Sequence, residues 1–361
     1  MERIYKTLRR QRAYEGKIEH LVVYPFFNCN IRCSYCYYWK ERSEKLSQKK
    51  FDKALSIFLK ISKNPRITFL GGEPTLDTKA LVSYIKKARE KIKNIPITIF
   101  TNGTHLNKNL SKFIKEENIN LVVSLDGDKD INDFSKKYFK KSHYELAISN
   151  LKKFELIPYS SVNMVVTRKN IKNLSRNIIH LKKIGFNSFG FNINYGELWK
   201  ENDIKILKEQ INRIFRDYAQ LIKRGEMYKF SNIYEILYSL KGEKIPYCSN
   251  LILMPDGNFY PCDKIISSDP KTIKKFILKG NILSKRRKFF NKMRKKGLVD
   301  KQLFCKIGLY LYFKYILAIK DSELKKRFKI ATKMQNTFKN SMKKYIALFF
   351  KLPQFRKLHN I

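Results

Sequence analysis

Acidic residues are scarce in this 361-residue chain: 31 Asp and Glu stand against 76 Lys and Arg, a net charge of +45. That bias calls for an anionic partner, such as an acidic peptide or redox protein, an anionic membrane surface or nucleic acid, or reflects a surface solvated throughout by lysine. The imbalance peaks late, with 27 Lys and Arg against three acidic residues in 271–361. No uncharged run reaches the ~18 residues of a membrane span. The opening MERIYKTLRRQRAYEGK also lacks the apolar stretch of a secretory signal, so a cytoplasmic protein is expected, at most peripheral to a membrane. Cysteine is rare as well, six in all, and three of them are Cys29, Cys33 and Cys36. In a reducing compartment such clustering speaks for metal ligands or catalytic thiols rather than disulfides. With 43% hydrophobic residues, wholesale disorder is excluded.

What is present is an alternation of short apolar runs with longer Lys-rich amphipathic ones, the pattern of repeated βα units. Strands are expected at 20–26, 66–71, 96–102, 121–126, 161–167 and 189–194, with helices near 47–61, 78–93, 107–117, 143–153, 170–184 and 201–224. Six such units predict an α/β fold, a partial (βα)6 TIM-like barrel. Functional groups of such barrels gather at the carboxyl ends of the strands. The cysteine cluster, GGEP (71–74), TNGT (101–104) and SLDG (124–127) each follow one of the first four strands. Gly71 and Gly72 let backbone approach a ligand closely, and Glu73 is placed to accept from an ammonium group. Asp126, before a glycine, reads as an ordinary turn former.

Three thiolates spaced CxxxCxxC can each reach one iron of a cubane cluster and leave the fourth iron without a protein ligand. Structural zinc wants four ligands, and no fourth Cys or His falls in the stretch, His20 lying upstream. A thioredoxin-like pair uses two cysteines. With Tyr35 before Cys36 and the cluster directly after a first strand, residues 18–225 resemble the radical S-adenosylmethionine (SAM) superfamily. The resemblance implies a 4Fe-4S cluster on Cys29, Cys33 and Cys36, with SAM chelating the open iron. It implies one-electron cleavage to a 5′-deoxyadenosyl radical that takes hydrogen from a substrate, and a low-potential donor such as flavodoxin or ferredoxin. It also assigns Gly71, Gly72 and Glu73 to the methionine amino group and Ser124 to the ribose hydroxyls, with Asn102 on the same rim. Relatives carry an Arg after SLDG for the cofactor carboxylate; here FSKKYFKK leaves Lys136 or Lys137 to serve, without arginine's planar fork. No catalytic side chain is singled out.

Beyond residue 225 the alternation stops, and a helix pattern at 231–240 leads into the second set of cysteines. Cys248 and Cys262 flank a hairpin signal, Pro255-Asp256-Gly257-Asn258, and resemble the first half of a SPASM or twitch extension. With Cys305 they imply at most one auxiliary 4Fe-4S cluster, its fourth ligand open or supplied by Asp263 or Asp256. The expected organisation is an extension (1–17), a radical SAM core (18–225), an auxiliary-cluster segment (226–310) and a basic helical tail (311–361). Stretches 304–320 and 342–352 combine lysines with aromatics at helical spacing, for packing on the barrel or for an anionic surface. The expected activity is radical modification of an acidic peptide or protein. The alternatives are a small-molecule reaction on a sugar, nucleotide or lipid headgroup, and a non-catalytic iron-sulfur protein binding RNA or membrane.

Overall fold

The computed structural model describes residues 18–36, 44–139, 141–194, 196–232, 249–267, 273–295 and 321–358. Strand β1 (His20–Val23) leads into the cysteine loop, which contains the two-residue β2 (Arg32–Cys33). The chain continues through α1 (Gln48–Ile61), β3 (Arg66–Phe69), α2 (Thr78–Lys91), β4 (Ile97–Thr101), α3 (Lys108–Glu116) and β5 (Asn120–Ser124). After α4 (Lys129–Ser135) and β6 (Lys136–Lys137) come α5 (His143–Lys153), β7 (Ser160–Val166), α6 (Leu174–Ile184), β8 (Ser188–Ile193), α7 (Glu201–Lys223) and β9 (Lys229–Phe230). Then follow β10 (Asn250–Leu253), β11 (Phe259–Tyr260), α8 (Ile282–Lys295), α9 (Asp321–Phe349) and α10 (Pro353–Leu358). Helix starts are set locally. Ser47, Asp77, Asn107, Asp128 and Ser142 each accept from the backbone N–H three residues on, satisfying one orphan donor of the first turn.

The main sheet runs β11-β10-β1-β3-β4-β5-β7-β8-β9. Every neighbouring pair is parallel except the β10–β11 hairpin. The six expected strands are thus β1, β3, β4, β5, β7 and β8, in chain order. Two features lay outside the expectation: β9 extends the sheet past β8, and β10 pairs in parallel with β1, His20 to Asn250 and Val23 to Leu253. The hairpin of the auxiliary segment is present, turning through Gly257 at φ 82°. It is built onto the barrel sheet rather than beside it. At the amino end His20 clips three strands together, Nδ1 to Asn250 Oδ1 at 2.9 Å and Nε2 to Thr68 Oγ1 at 2.7 Å.

Alternation along the strands separates two faces. Leu21, Val23, Ile97, Ile99, Leu121, Val123, Val162 and Met164 turn outward and are sealed under α1 to α7 by residues such as Phe51, Tyr84, Ile114, Leu151 and Leu181. Val22, Ile252 and Met254 turn to the other, inner face and pack with Tyr24, Phe27, Tyr260, Ile265, Ile266, Ile273 and Phe290. Of the basic tail, stretch 342–352 packs as a core element: Met342, Ile346 and Phe349 are buried and Tyr345 stacks on Phe215 of α7 at 5.0 Å. The expected helix at 231–240 and the stretch 304–320 fall mostly or wholly outside the described residues, as does extension 1–17. Among the described residues no helix is long and apolar enough to cross a membrane.

Candidate active site

The cysteine loop is fastened at its base before it reaches the first cysteine. Tyr24 N–H donates to Leu253 O at 2.8 Å and Leu46 N–H to Pro25 O at 2.8 Å. Above this base, Gly72 N–H donates to Phe26 O at 3.2 Å and Glu73 N–H to Asn28 O at 2.9 Å. A Cβ on Gly72 would lie 2.0 Å from Asn28 O and 2.3 Å from Phe27 O, both backbone atoms. The absent side chain therefore makes room first for the cysteine loop itself, a closer approach than the ligand-facing role expected of it.

Glu73 likewise makes its contacts within the chain. Its carboxylate is 1% exposed and turned inward. Oε1 accepts from Thr75 N–H, Thr75 Oγ1 and Thr101 Oγ1 at 3.1, 2.6 and 2.7 Å, and Oε2 accepts from Asn102 N–H at 2.6 Å. Burial pushes its pKa up while these donors pull it back. The side chain ties the ends of β3 and β4 together. Asn102 then passes the constraint to the cysteines: its Nδ2 donates to Asn30 Oδ1 at 2.9 Å and to Cys29 Sγ at 3.9 Å. Its Oδ1 is held by Thr104 N–H and Oγ1 at 2.9 and 2.6 Å, and its carbonyl bonds His143 Nε2 at 2.9 Å.

Cys29, Cys33 and Cys36 are partly exposed cysteines on this one loop, none in a disulfide. Burial pushes the Cys29 thiol up to about 11 and the Cys33 thiol up to about 12. Alone these two stay protonated; a cationic iron centre is what would make them thiolates. Among the described residues no three His, Cys, Asp or Glu side chains are gathered as around a single metal ion. A multi-iron cluster instead takes one thiolate per iron, which suits three half-buried thiols spread along a loop.

The geometry and the comparisons agree. Residues 23–174 match the family model described as the radical SAM superfamily. This chain carries a radical SAM domain. The cysteine-type anaerobic sulfatase-maturating enzyme of Clostridium novyi is 26% identical over 276 residues, which cover 68% of this chain and 73% of that one. An uncharacterised protein of Methanocaldococcus jannaschii is 28% identical over 183 residues, 49% of this chain and 63% of that one. Among solved structures, anSMEcpe with bound AdoMet and the Kp18Cys peptide superposes with TM-score 0.63 at 20% identity, covering 86% of this chain and 99% of that one. Streptococcus suis SuiB bound to its precursor peptide SuiA gives 0.52 at 18% identity, covering 72% and 63%. Radical SAM proteins use a 4Fe-4S cluster and SAM, and the loop's donor set fits the cluster.

In this radical SAM domain the segment after β5 departs from expectation. Lys136 is 1% exposed, so it is not free to meet a cofactor carboxylate; it forms an ion pair with Asp126, itself 0% exposed. Asp126 is more than a turn former. It accepts from Tyr35 OH at 2.6 Å and from Val165 N–H at 2.9 Å. Lys137 stays exposed, its ammonium 5.7 Å from the Phe134 ring. Ser124 is half-buried at the end of β5, paired in register with Asn163. Asn192 Nδ2 donates to Asn163 Oδ1 at 2.6 Å, so a polar row crosses the inner face of β5, β7 and β8. Sequence reasoning missed Asn163 and Asn192, although each is a polar residue at an alternate position inside an apolar strand.

Of the second cysteine set, Cys248 and Cys305 lie outside the described residues. Cys262 is 8% exposed among apolar neighbours, with Sγ 3.8 Å from Asp263 Oδ1. Asp256 is spent on its turn, accepting from Asn258 N–H and Nδ2 and from Tyr260 OH at 2.9, 2.9 and 2.7 Å. Asp263, the other aspartate expected as a ligand, lies beside Cys262.

Proposed function

We propose that this radical SAM enzyme modifies a peptide or protein side chain, with Cys29, Cys33 and Cys36 as the cluster ligands. A 4Fe-4S cluster held by those cysteines would, with SAM, supply one-electron chemistry for hydrogen abstraction from the substrate. The chain's own residues position and exclude. Glu73 and Asn102 lock the strand ends to the cysteine loop, and Gly71 and Gly72 bring backbone against it. Tyr24 and Phe27 anchor that loop in an apolar layer that keeps water from its base. Ser124, Asn102 and the backbone at Gly71 and Gly72 line the rim where SAM would lie. The reading rests above all on the polar inner row Ser124, Asn163 and Asn192, which faces that rim and offers amide donors and acceptors to a peptide backbone. The sulfatase-maturating relative from Clostridium novyi supports the same direction, and the excess of lysine suits an acidic substrate.

Cys262 with Asp263 is proposed to contribute to one auxiliary cluster, together with Cys248 and Cys305. A flavodoxin or ferredoxin is proposed as electron donor. The test is anaerobic reconstitution, then dithionite and SAM with acidic peptides encoded beside this gene. Formation of 5′-deoxyadenosine together with a mass change in a peptide is expected. Cleavage of SAM coupled only to a sugar, nucleotide or lipid headgroup would overturn the peptide assignment.

A further inference from the structure

A lysine almost wholly removed from water beside a metal-ligand loop is costly unless it is paired and put to use. Lys136 is that lysine, and its place is set by backbone geometry. The short strand β6 runs antiparallel to β2, with Cys33 directly opposite Lys136 and Arg32 opposite Lys137. Ser34 N–H closes the next rung onto Ser135 O at 2.8 Å. Residues directly opposite on an antiparallel pair send their side chains to the same face, with Cβ atoms about 5 Å apart. The Cys33 thiol and the Lys136 side chain therefore leave the ladder together. The ammonium is held by Asp126 and lies 5.3 Å from the centre of the Tyr35 ring, the residue before Cys36. Tyr35 in turn donates its hydroxyl to Asp126. A buried cation and anion and a half-buried aromatic ring thus form one unit that touches the loop between two cysteines.

We propose that Lys136 is a positioning residue that sets the reduction potential of the cluster held by Cys29, Cys33 and Cys36, as a fixed positive charge behind Cys33. The inference rests on the cluster assignment made above. Cluster potentials follow net charge, hydrogen bonds to sulfur and solvent exposure. One-electron reduction makes the cluster more negative, so a fixed cation nearby favours the reduced state, the one that must pass its electron to SAM. Asp126 opposes this as an anion, but it reaches the loop through Tyr35 and Lys136, whereas Lys136 stands directly opposite Cys33. Removing Lys136 therefore takes positive charge from beside Cys33 and lowers the potential. In this low-dielectric pocket the interaction is little screened.

The experiment uses the anaerobically reconstituted full chain as wild type, Lys136→Met, Lys136→Arg and Asp126→Asn. Iron and sulfide are counted first, and the cluster is then titrated against redox mediators with the reduced signal read by EPR. Lys136→Met is expected to lower the ratio of reduced to oxidised cluster at the wild-type midpoint at least tenfold, about 59 mV for one electron. Asp126→Asn is expected to shift the midpoint in the opposite direction, and Lys136→Arg to keep it within threefold of wild type. Full iron with an unmoved midpoint in both Lys136→Met and Asp126→Asn overturns the proposal. If Lys136→Met fails to retain iron, the sign of the Asp126→Asn shift decides alone. A wild-type chain that binds no iron overturns the cluster assignment itself, an outcome distinct from an unmoved midpoint.

Discussion

Two stretches of the same inner sheet face are built in opposite ways. Along β1 and β10 it carries Val22, Ile252 and Met254 and is covered by Tyr260, Ile265, Ile266, Ile273 and Phe290. Along β5, β7 and β8 it carries Ser124, Asn163 and Asn192, all at least partly accessible. The covered half also contains Tyr24 and Phe27, the root of the cysteine loop, so chemistry stands on a packed floor and faces a polar opening. Precision at the ligand loop and room for a substrate are demands that one uniform surface could not meet.

The contrast can be broken at either side. The largest expected effect is at the thiols: Cys33→Ala should remove about four iron per chain, leaving only what the auxiliary site holds, and drop 5′-deoxyadenosine formation to background, measured by iron assay and chromatography. Next, Ile252→Ala in the covered half should cost about 2–5 kcal/mol of unfolding free energy, read by denaturant titration, with turnover of the folded fraction unchanged. A third test uses pH. Burial lowers the His20 pKa from 6.5 to about 4, so its neutral ring holds Asn250 and Thr68 in the folded state while the unfolded chain already binds a proton. Stability is complete above the unfolded value and falls as pH drops from about 6.5 to about 4, by up to ~3 kcal/mol. His143, buried and likewise lowered to about 4, adds a decline of the same sign. His20→Gln should therefore flatten only part of the slope, as followed by thermal melts across that range. The smallest expected effect is at Asn163→Ala on the open side: about tenfold in kcat/KM, equivalent to ~1.4 kcal/mol, with unfolding free energy changed by less than ~0.5 kcal/mol. A stability loss as large as that of Ile252→Ala would erase the distinction between the two halves.

Much of this arrangement was legible in residues that act locally. Ser47, Asp77 and Asn107 announce helices by their own side chains, and the expected boundaries at 47, 78 and 107 fall at or beside those caps. The cysteine spacing is legible because a cluster constrains residues only a few positions apart. Partnerships made across the chain were not. Lys136 reads in FSKKYFKK as a candidate for the cofactor carboxylate, and nothing nearby in sequence reveals that a two-residue ladder turns it inward onto Asp126. Glu73 reads as ligand-facing because Thr101 and Asn102, which take up its oxygens, come from the following strand. The placement of β10 beside β1 escaped for the same reason. Asn163 and Asn192 could have been found, since an amide at an inner alternate position of a barrel strand marks an accessible lumen.

The clip between His20 and Asn250 joins residues 230 positions apart. During translation at roughly 5–20 residues per second, β1 waits on the order of 10–50 s on the ribosome with one edge bare. The peptide that fastens Tyr24, at the root of the cysteine loop, emerges in the same late segment as Leu253. Nascent chains thus hold three reactive thiols on an unfinished edge until that segment appears, a window in which oxygen or a chaperone reaches them first.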